Sequence, residues 1–142
     1  MGKGGDFMKE RICALIGIAG AACAWAFGGW DAALAALLIC MGIDYLSGSI
    51  VALVFHKSRK TETGAYNSAY GLKGLCKKCL MLMFVVVAVQ ADRLLGADYV
   101  RDAVCIGFAV NEILSIVENL GLAGVPLPKV VTKALEQLRT KE

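Results

Sequence analysis

The chain has 142 residues, of which 58% are hydrophobic and only 19% are charged, and its net charge is +3. The mean hydropathy is +0.64. Because this composition is too apolar for an ordinary soluble domain, it indicates an integral membrane protein. We predict an all-α integral membrane protein: a single domain, 1–142, with a small bundle of about four transmembrane helices.

Four apolar blocks are the candidate transmembrane spans. The second block is long enough to cross a hydrocarbon core of about 30 Å at about 1.5 Å per residue. The third and fourth blocks reach that length only with flanks that carry charged residues, so three spans are the alternative to four. The blocks are 12–27, 32–55, 79–95 and 103–120.

The first block is rich in small residues. Gly17 and Ala21, and Gly20 and Ala24, are small-xxx-small pairs that let two helix backbones approach closely, which favours a packed and retained helix. The alternative is a secretory signal, because 24–26 (AWA) has the pattern of a small-residue cleavage site.

Basic residues are unevenly distributed between the predicted loops. The N-terminus, the loop 56–78 and the tail 126–142 together hold thirteen of the fifteen Lys and Arg residues. Lys and Arg accumulate on the cytoplasmic side of a membrane protein. We therefore expect a multi-pass protein with both termini in the cytoplasm.

The basic loop 56–78 also shows helical spacing. Apolar side chains recur at i, i+3, i+4 and i+7 over 72–79, which predicts an interfacial basic helix leading into the third span, although an ordinary positive-inside loop is the simpler alternative. The tail 126–142 is either a short amphipathic helix or a solvated segment. The side chains expected to contact lipid phosphates are Lys73, Lys77 and Lys78.

Polar side chains occur inside two of the apolar blocks. A charged group facing acyl chains is unfavourable, so such side chains should face other helices, water or the interface. They either bind one another and hold the bundle together, or line a pore, or form the proton site of an ion-coupled exporter at Asp44 or Glu112. The second block contributes Asp44, Ser47 and the packing residue Gly48; the fourth contributes Asn111, Glu112, Ser115, Glu118 and Asn119 within an arc of about 120°.

The sequence gives little support for an enzyme. Cys76 and Cys79 form a lone CxxC, and the only histidine, His56, stands twenty residues away without further ligands. We therefore expect no catalytic residues, no metal and no cofactor.

Three segments in order resemble the toxin-secretion/phage-lysis holin family: 42–48 (GIDYLSG), 68–78 (SAYGLKGLCKK), and 111–119 (NEILSIVEN) followed by 124–128 (GVPLP). The resemblance implies a phage or prophage protein of the bacterial cytoplasmic membrane that assembles in many copies into lesions. Through these an endolysin, or in some relatives a large toxin, leaves the cell without forming a stable complex. Partners implied are the lipid bilayer, further copies of the chain and an antiholin, with no nucleic acid. A small ion-coupled transporter and an antiholin of the same family remain alternatives.

Overall fold

The computed structural model describes residues 3–56 and 68–133, and for 3–6 and Tyr70 it describes the backbone only. Within these ranges the regular structure is entirely helical. Helix α1 spans Lys3–Ala26, α2 spans Ala32–Ile50, α3 spans Ser68–Leu95 and α4 spans Val100–Ala123. A π-helical segment, Val51–Phe55, continues α2, and residues 129–133 are also helical.

Local chemistry sets the ends of these helices. Asp31 caps the N-terminus of α2, where its carboxylate accepts a hydrogen bond of 2.9 Å from the backbone N–H of Leu34. Gly124 ends α4 in the left-handed conformation, with φ 84°, and the N–H of Val125 then donates to the carbonyl of Leu120. A glycine in this position is the usual way to satisfy the last carbonyls of a helix.

The turn between α1 and α2 lies close against the other helices. Gly28 has φ +76°, and a Cβ atom there would lie 3.2 Å from Cγ2 of Val89 on α3 and 3.5 Å from Cδ of Arg101 on α4. Only glycine combines this backbone conformation with so close an approach. The turn therefore fixes the start of α2 beside the end of α3 and the start of α4.

Helices α2, α3 and α4 form the packed part of the chain. Helix α4 packs along α2 and also contacts α3, while α2 and α3 contact each other less. Leu37, Val85 and Cys105, one from each helix, are completely buried at the centre. The surrounding core residues are Leu34, Met41, Met81 and Ala109.

Helix α1 differs from the other three. Every side chain from Phe7 to Trp25 is exposed, including large apolar residues such as Ile12 and Leu15. Gly17 and Gly20, predicted to pack helices, have nothing within 4 Å of the position of a Cβ atom. Their packing partner therefore does not lie in the described part of this chain.

Two helical stretches are long and apolar enough to cross a membrane by length and composition: Ala32–Phe55 and Val100–Ala123. The predicted blocks 12–27 and 79–95 fall largely in α1 and α3, and their membrane crossing stays a prediction. The spacing over 72–79 in the loop 56–78 predicts an interfacial helix, and the structure includes residues 68–79 in the first part of the continuous helix α3. The rest of the basic loop, 57–67, and the tail beyond residue 133 lie outside the described residues.

Candidate functional site

Lys78 joins α2, α3 and α4 through two buried carboxylates. Its Nζ donates a hydrogen bond of 2.9 Å to Oδ2 of Asp44 on α2, and a second, short one to Oε2 of Glu112 on α4. Lys78 is 9% exposed, and Asp44 and Glu112 are each 6% exposed. Because burial makes charges strongly unfavourable unless they are paired, the three side chains depend on one another.

Asn119 extends this arrangement along α4. Its Nδ2 donates to Oδ1 of Asp44 at 3.2 Å and to Oγ of Ser47 at 3.0 Å. Ser47 in turn donates to the backbone carbonyl of Asp44 at 3.1 Å. A Cβ atom on Gly48 would lie 3.5 Å from the Asn119 amide nitrogen, so Gly48 lies directly beside this amide. We call Lys78, Asp44, Glu112, Asn119 and Ser47 the Lys78 cluster.

A second group of charges lies at the end of the bundle where α2 and α4 begin. The guanidinium of Arg101 donates to Asp31 in a short hydrogen bond, to Asp102 at 3.0 Å and to the carbonyl of Gly29 at 3.3 Å. Asp92 on α3 accepts hydrogen bonds of 2.9 Å from the backbone N–H groups of Val100 and Arg101. We call Arg101, Asp31, Asp92 and Asp102 the Arg101 cluster.

Asp31 lies outside the helical spans, on the turn before α2. The hydrogen bond from Arg101, and then the one from the Leu34 backbone, hold the pKa of this carboxyl below its ordinary value. Both donors favour the charged form of the carboxylate. The charged state of Asp31 thus supports both the cap of α2 and the contact with α4.

Aromatic side chains surround the Arg101 end of the bundle. Trp25, Trp30 and Tyr99 are each about two-thirds exposed or more. The Arg93 guanidinium lies 4.1 Å above the Trp25 ring and donates to the Trp25 carbonyl at 2.7 Å, which attaches the end of α1 to α3. Trp and Tyr are enriched at membrane–water interfaces, so this belt is typical of one membrane boundary.

The Lys78 cluster lies far along the helices from the aromatic belt. Asp44 follows Asp31 by thirteen residues and Glu112 follows Arg101 by eleven, which is about 20 Å and about 16 Å along the two helices. A hydrocarbon core is about 30 Å thick. In a bilayer bounded by the aromatic belt, the cluster is therefore inside the hydrocarbon region.

The structure divides the polar residues predicted on the fourth block between two faces. Glu112 and Asn119 are buried with Asp44 and Ser47, whereas Asn111 is exposed and Ser115 and Glu118 are half-buried. Glu118 has an interaction partner of its own. The single arc predicted from the sequence thus contains one face that meets α2 and α3 and one that does not.

The three lysines predicted at lipid phosphates are also divided. Lys73 and Lys77 are exposed on α3, whereas Lys78 points into the bundle toward Asp44 and Glu112. The expectation for Lys78 differs from its placement because its spacing with Met81, Val85 and Asp92 puts it on the buried face of α3. That spacing is visible in the sequence once Lys78 is included in the third helix.

Arg101 and Asp92 were not predicted as site residues, because in the sequence they lie in the charged flanks of the third and fourth apolar blocks.

Comparison with known proteins gives a family and several relatives. The model of the bacteriophage holin family matches residues 21–140. An uncharacterized protein of Clostridium perfringens strain 13 is 38% identical over 92% of this chain and 93% of its own length. An uncharacterized 14.9 kDa protein from the nagH 3′ region of C. perfringens is 39% identical over 83% and 85%, and one from Listeria innocua is 34% identical over 79% and 75%. No solved structure gives a significant match.

Proposed function

The chain belongs to the bacteriophage holin family, and on that premise we propose that it assembles in the bacterial cytoplasmic membrane into lesions that release an endolysin. The observation that carries the proposal is the Lys78 cluster, a buried set of charges that joins three helices. In the topology proposed below, this cluster lies at membrane depth. A larger protein such as a toxin is an alternative cargo. The lesion is a many-copy assembly, and the endolysin passes through it without a stable complex.

A passage for a folded enzyme requires several copies of the chain. The centre of the described bundle is filled by Leu37, Val85 and Cys105, which have no exposed surface. Each helix is only about 10 Å across, so a single chain cannot enclose a protein-sized opening. The exposed faces of α1, with Gly17 and Gly20, supply a surface on which copies can pack.

The proposed topology has four spans, with both termini in the cytoplasm. The Arg101 cluster and the aromatic belt then lie at the outer boundary. Lys73 lies at the inner boundary, because it is twenty residues, or about 30 Å, from Arg93 along α3. Lys77 lies about one turn deeper and reaches the lipid phosphates by extending its side chain along the helix.

The Lys78 cluster stabilises the closed bundle in this proposal. While Lys78 binds Asp44 and Glu112, these charges are hidden from lipid, and the chains accumulate without opening the membrane. In the lesion the same polar groups, with Glu118, face the lumen or a neighbouring subunit. Depolarisation favours such a change if charge moves across the membrane, because one elementary charge is worth about 2.3 kcal/mol per 100 mV.

The test is induced expression in a bacterium with and without an endolysin that lacks a secretion signal. Culture density and release of a large cytoplasmic reporter enzyme are followed together. We expect abrupt lysis after a delay, and only when both proteins are present. Reporter release should occur with the chain alone, since it reports the lesion itself. Normal membrane insertion without reporter release would overturn the proposal.

A small ion-coupled transporter is the second candidate, because paired carboxylates at membrane depth also serve as ion sites. It is distinguished in the same cultures by loss of the membrane potential, or by substrate-dependent flux, without release of the reporter enzyme. An antiholin would instead delay the lysis caused by a co-expressed holin. Each outcome assigns one of the three activities.

A further inference from the structure

Helix α4 carries a second polar face beside the Lys78 cluster. Asn111 is exposed although Glu112 is its neighbour, because one helical step of about 100° turns it away from α2 and α3. Gly107 and Ser115 lie four residues before and after Asn111 and so share its side of the helix. Gly107 is exposed with nothing within 4 Å of a Cβ position, and Ser115 is half-buried. We call Gly107, Asn111 and Ser115 the Asn111 face.

The depth of Asn111 makes this face unsuited to lipid. The argument rests on the proposed function, in which α4 crosses the bilayer. Asn111 follows Arg101 by ten residues, about 15 Å, which puts its amide near the middle of the hydrocarbon core. Among the described residues no side chain forms a hydrogen bond with this amide. An amide without a hydrogen-bond partner is unfavourable in hydrocarbon, so protein should cover the Asn111 face.

We propose that the Asn111 face is the contact between two copies of this chain, whose α4 helices are related by a twofold axis along the membrane normal. Copies with the same topology bring residues of equal depth together, so Asn111 meets Asn111 of the second copy. An asparagine amide both donates and accepts, and therefore pairs with its own counterpart. Gly107 lets the two backbones approach closely.

Other exposed side chains at this depth offer the amide less. Ile43, beside Asp44 on α2, and Leu80, near Lys78 on α3, are exposed and apolar. A head-to-tail contact of α4 with either position would leave the Asn111 amide without a partner. The self-pair satisfies the amides of both copies at once, and this favours a second copy over a different face of the bundle.

The test uses single cysteines in the full chain after the six native cysteines are replaced by serine or alanine. Asn111→Cys is compared with Ile113→Cys, which is at nearly the same depth but on the opposite side of α4, where Ile113 is 47% exposed. Isolated membranes are oxidised before lysis begins. We expect a disulfide-linked dimer from Asn111→Cys. We expect no such dimer from Ile113→Cys. Equal or stronger linkage through Ile113→Cys would overturn the proposal.

A second arm tests whether α1 covers the face. Cys13 lies twelve residues from Trp25, about 18 Å, and so at a depth close to that of Asn111. Retaining Cys13 beside Asn111→Cys should leave the symmetric dimer as the main product. Linkage to Cys13 in place of the symmetric dimer would overturn the proposal and assign the face to α1.

A third arm leaves the native cysteines in place, so it does not depend on the folding of the cysteine-free chain. Energy transfer between labelled copies in lipid vesicles should be reduced in Asn111→Leu and retained in Asn111→Gln, since α1 still offers another surface on which copies pack. Undiminished energy transfer in Asn111→Leu would contradict the proposal. Reporter release in the same strains separates the proposed lesion from the proposed interface. A dimer without release supports the interface and contradicts the lesion. Release without a dimer overturns the interface alone.

Discussion

The Lys78 ammonium lies 2.9 Å from the Asp44 carboxylate, although the two residues are 34 positions apart and belong to different helices. The same ammonium binds Glu112 on a third helix. One cation therefore pairs with a carboxylate from each of the two neighbouring helices. Replacing any one of the three side chains should therefore affect the other two.

Replacing Lys78 by methionine should strongly destabilise the bundle. The substitution keeps most of the side-chain volume but leaves two carboxylates buried without their cation. Breaking a buried ion pair by removing one partner typically costs about 3–5 kcal/mol. Thermal unfolding in detergent micelles, followed by circular dichroism, should show a lower midpoint. Lys77→Met is the matched control, because Lys77 is exposed on the same helix and its replacement should leave the midpoint nearly unchanged. Equal midpoints for the two variants would contradict the importance of the cluster.

Replacing Glu112 by glutamine should bring lysis forward without preventing membrane insertion. Glutamine keeps the shape and a hydrogen-bond acceptor but removes the charge that binds Lys78. Hydrogen bonds to charged groups contribute about 1.5–3 kcal/mol, so the closed bundle should lose stability of that order. The measurement is the delay between induction and lysis, at matched amounts of protein in the membrane. Glu10→Gln, at an exposed position on α1, is the control. An unchanged delay in Glu112→Gln would contradict the proposed role of the cluster.

Exchanging the charges of Lys78 and Glu112 should restore part of the lost stability. Lys78→Glu alone leaves three buried acids, and Glu112→Lys alone places two cations beside one carboxylate. The double variant again has one cation and two carboxylates, with Asp44 still at the same site. The interaction energy from the double-mutant cycle should be favourable and within the range of about 0.5–3 kcal/mol found for residues in contact. It is obtained from the unfolding midpoints of the four proteins. Simple additivity of the two single effects would mean that Lys78 and Glu112 do not interact.

Local signals in the sequence were enough to predict an all-helical chain. The apolar block 32–55 coincides with α2 and its continuation to Phe55, and the block 103–120 lies within α4, whereas α1 and α3 begin before the blocks 12–27 and 79–95. Polar side chains inside the bundle could also be predicted, because Asp44 and the polar residues of 111–119 interrupt otherwise apolar blocks. These features depend on neighbours in the sequence, and hydrophobic periodicity describes them well.

The pairing of those polar residues could not be predicted from one sequence. An arc of about 120° on α4 contains both Asn111 and Glu112, and only the position of α2 decides which of them is buried. Lys78 has the basic neighbours typical of a cytoplasmic loop, so the positive-inside pattern assigned it to the membrane surface. Its inward direction depends on Asp44 and Glu112, which are distant in the chain. Arg101 was missed for the same reason, because its partner Asp31 precedes a different helix.

Removing the Asp31 carboxylate should destabilise the Arg101 end of the bundle. It should also reduce the dependence of the unfolding midpoint on pH in the acid range. Asp31→Ala removes the cap of α2, which typically costs about 0.5–2 kcal/mol, together with the contact to Arg101. The pKa of Asp31 is lower in the folded protein than its ordinary value of 3.8, so its contribution is fully present above that value and is lost as the pH falls through the folded pKa. Asp31→Asn, which keeps a capping oxygen, should therefore lower the unfolding midpoint at pH 6, and its difference from the unmodified chain should shrink as the pH falls below 3.8.

Asp98→Asn is the matched control, because Asp98 is an exposed carboxylate at the same end of the bundle. Its unfolding midpoint should follow that of the unmodified chain at every pH. If the difference between Asp31→Asn and the unmodified chain did not change as the pH fell from 6 to below 3.8, the charge of Asp31 would not be what stabilises this end. The contact with Arg101 would then act through packing of its side chain against the turn at Gly28, where Cδ of Arg101 lies 3.5 Å from the position of a Cβ atom.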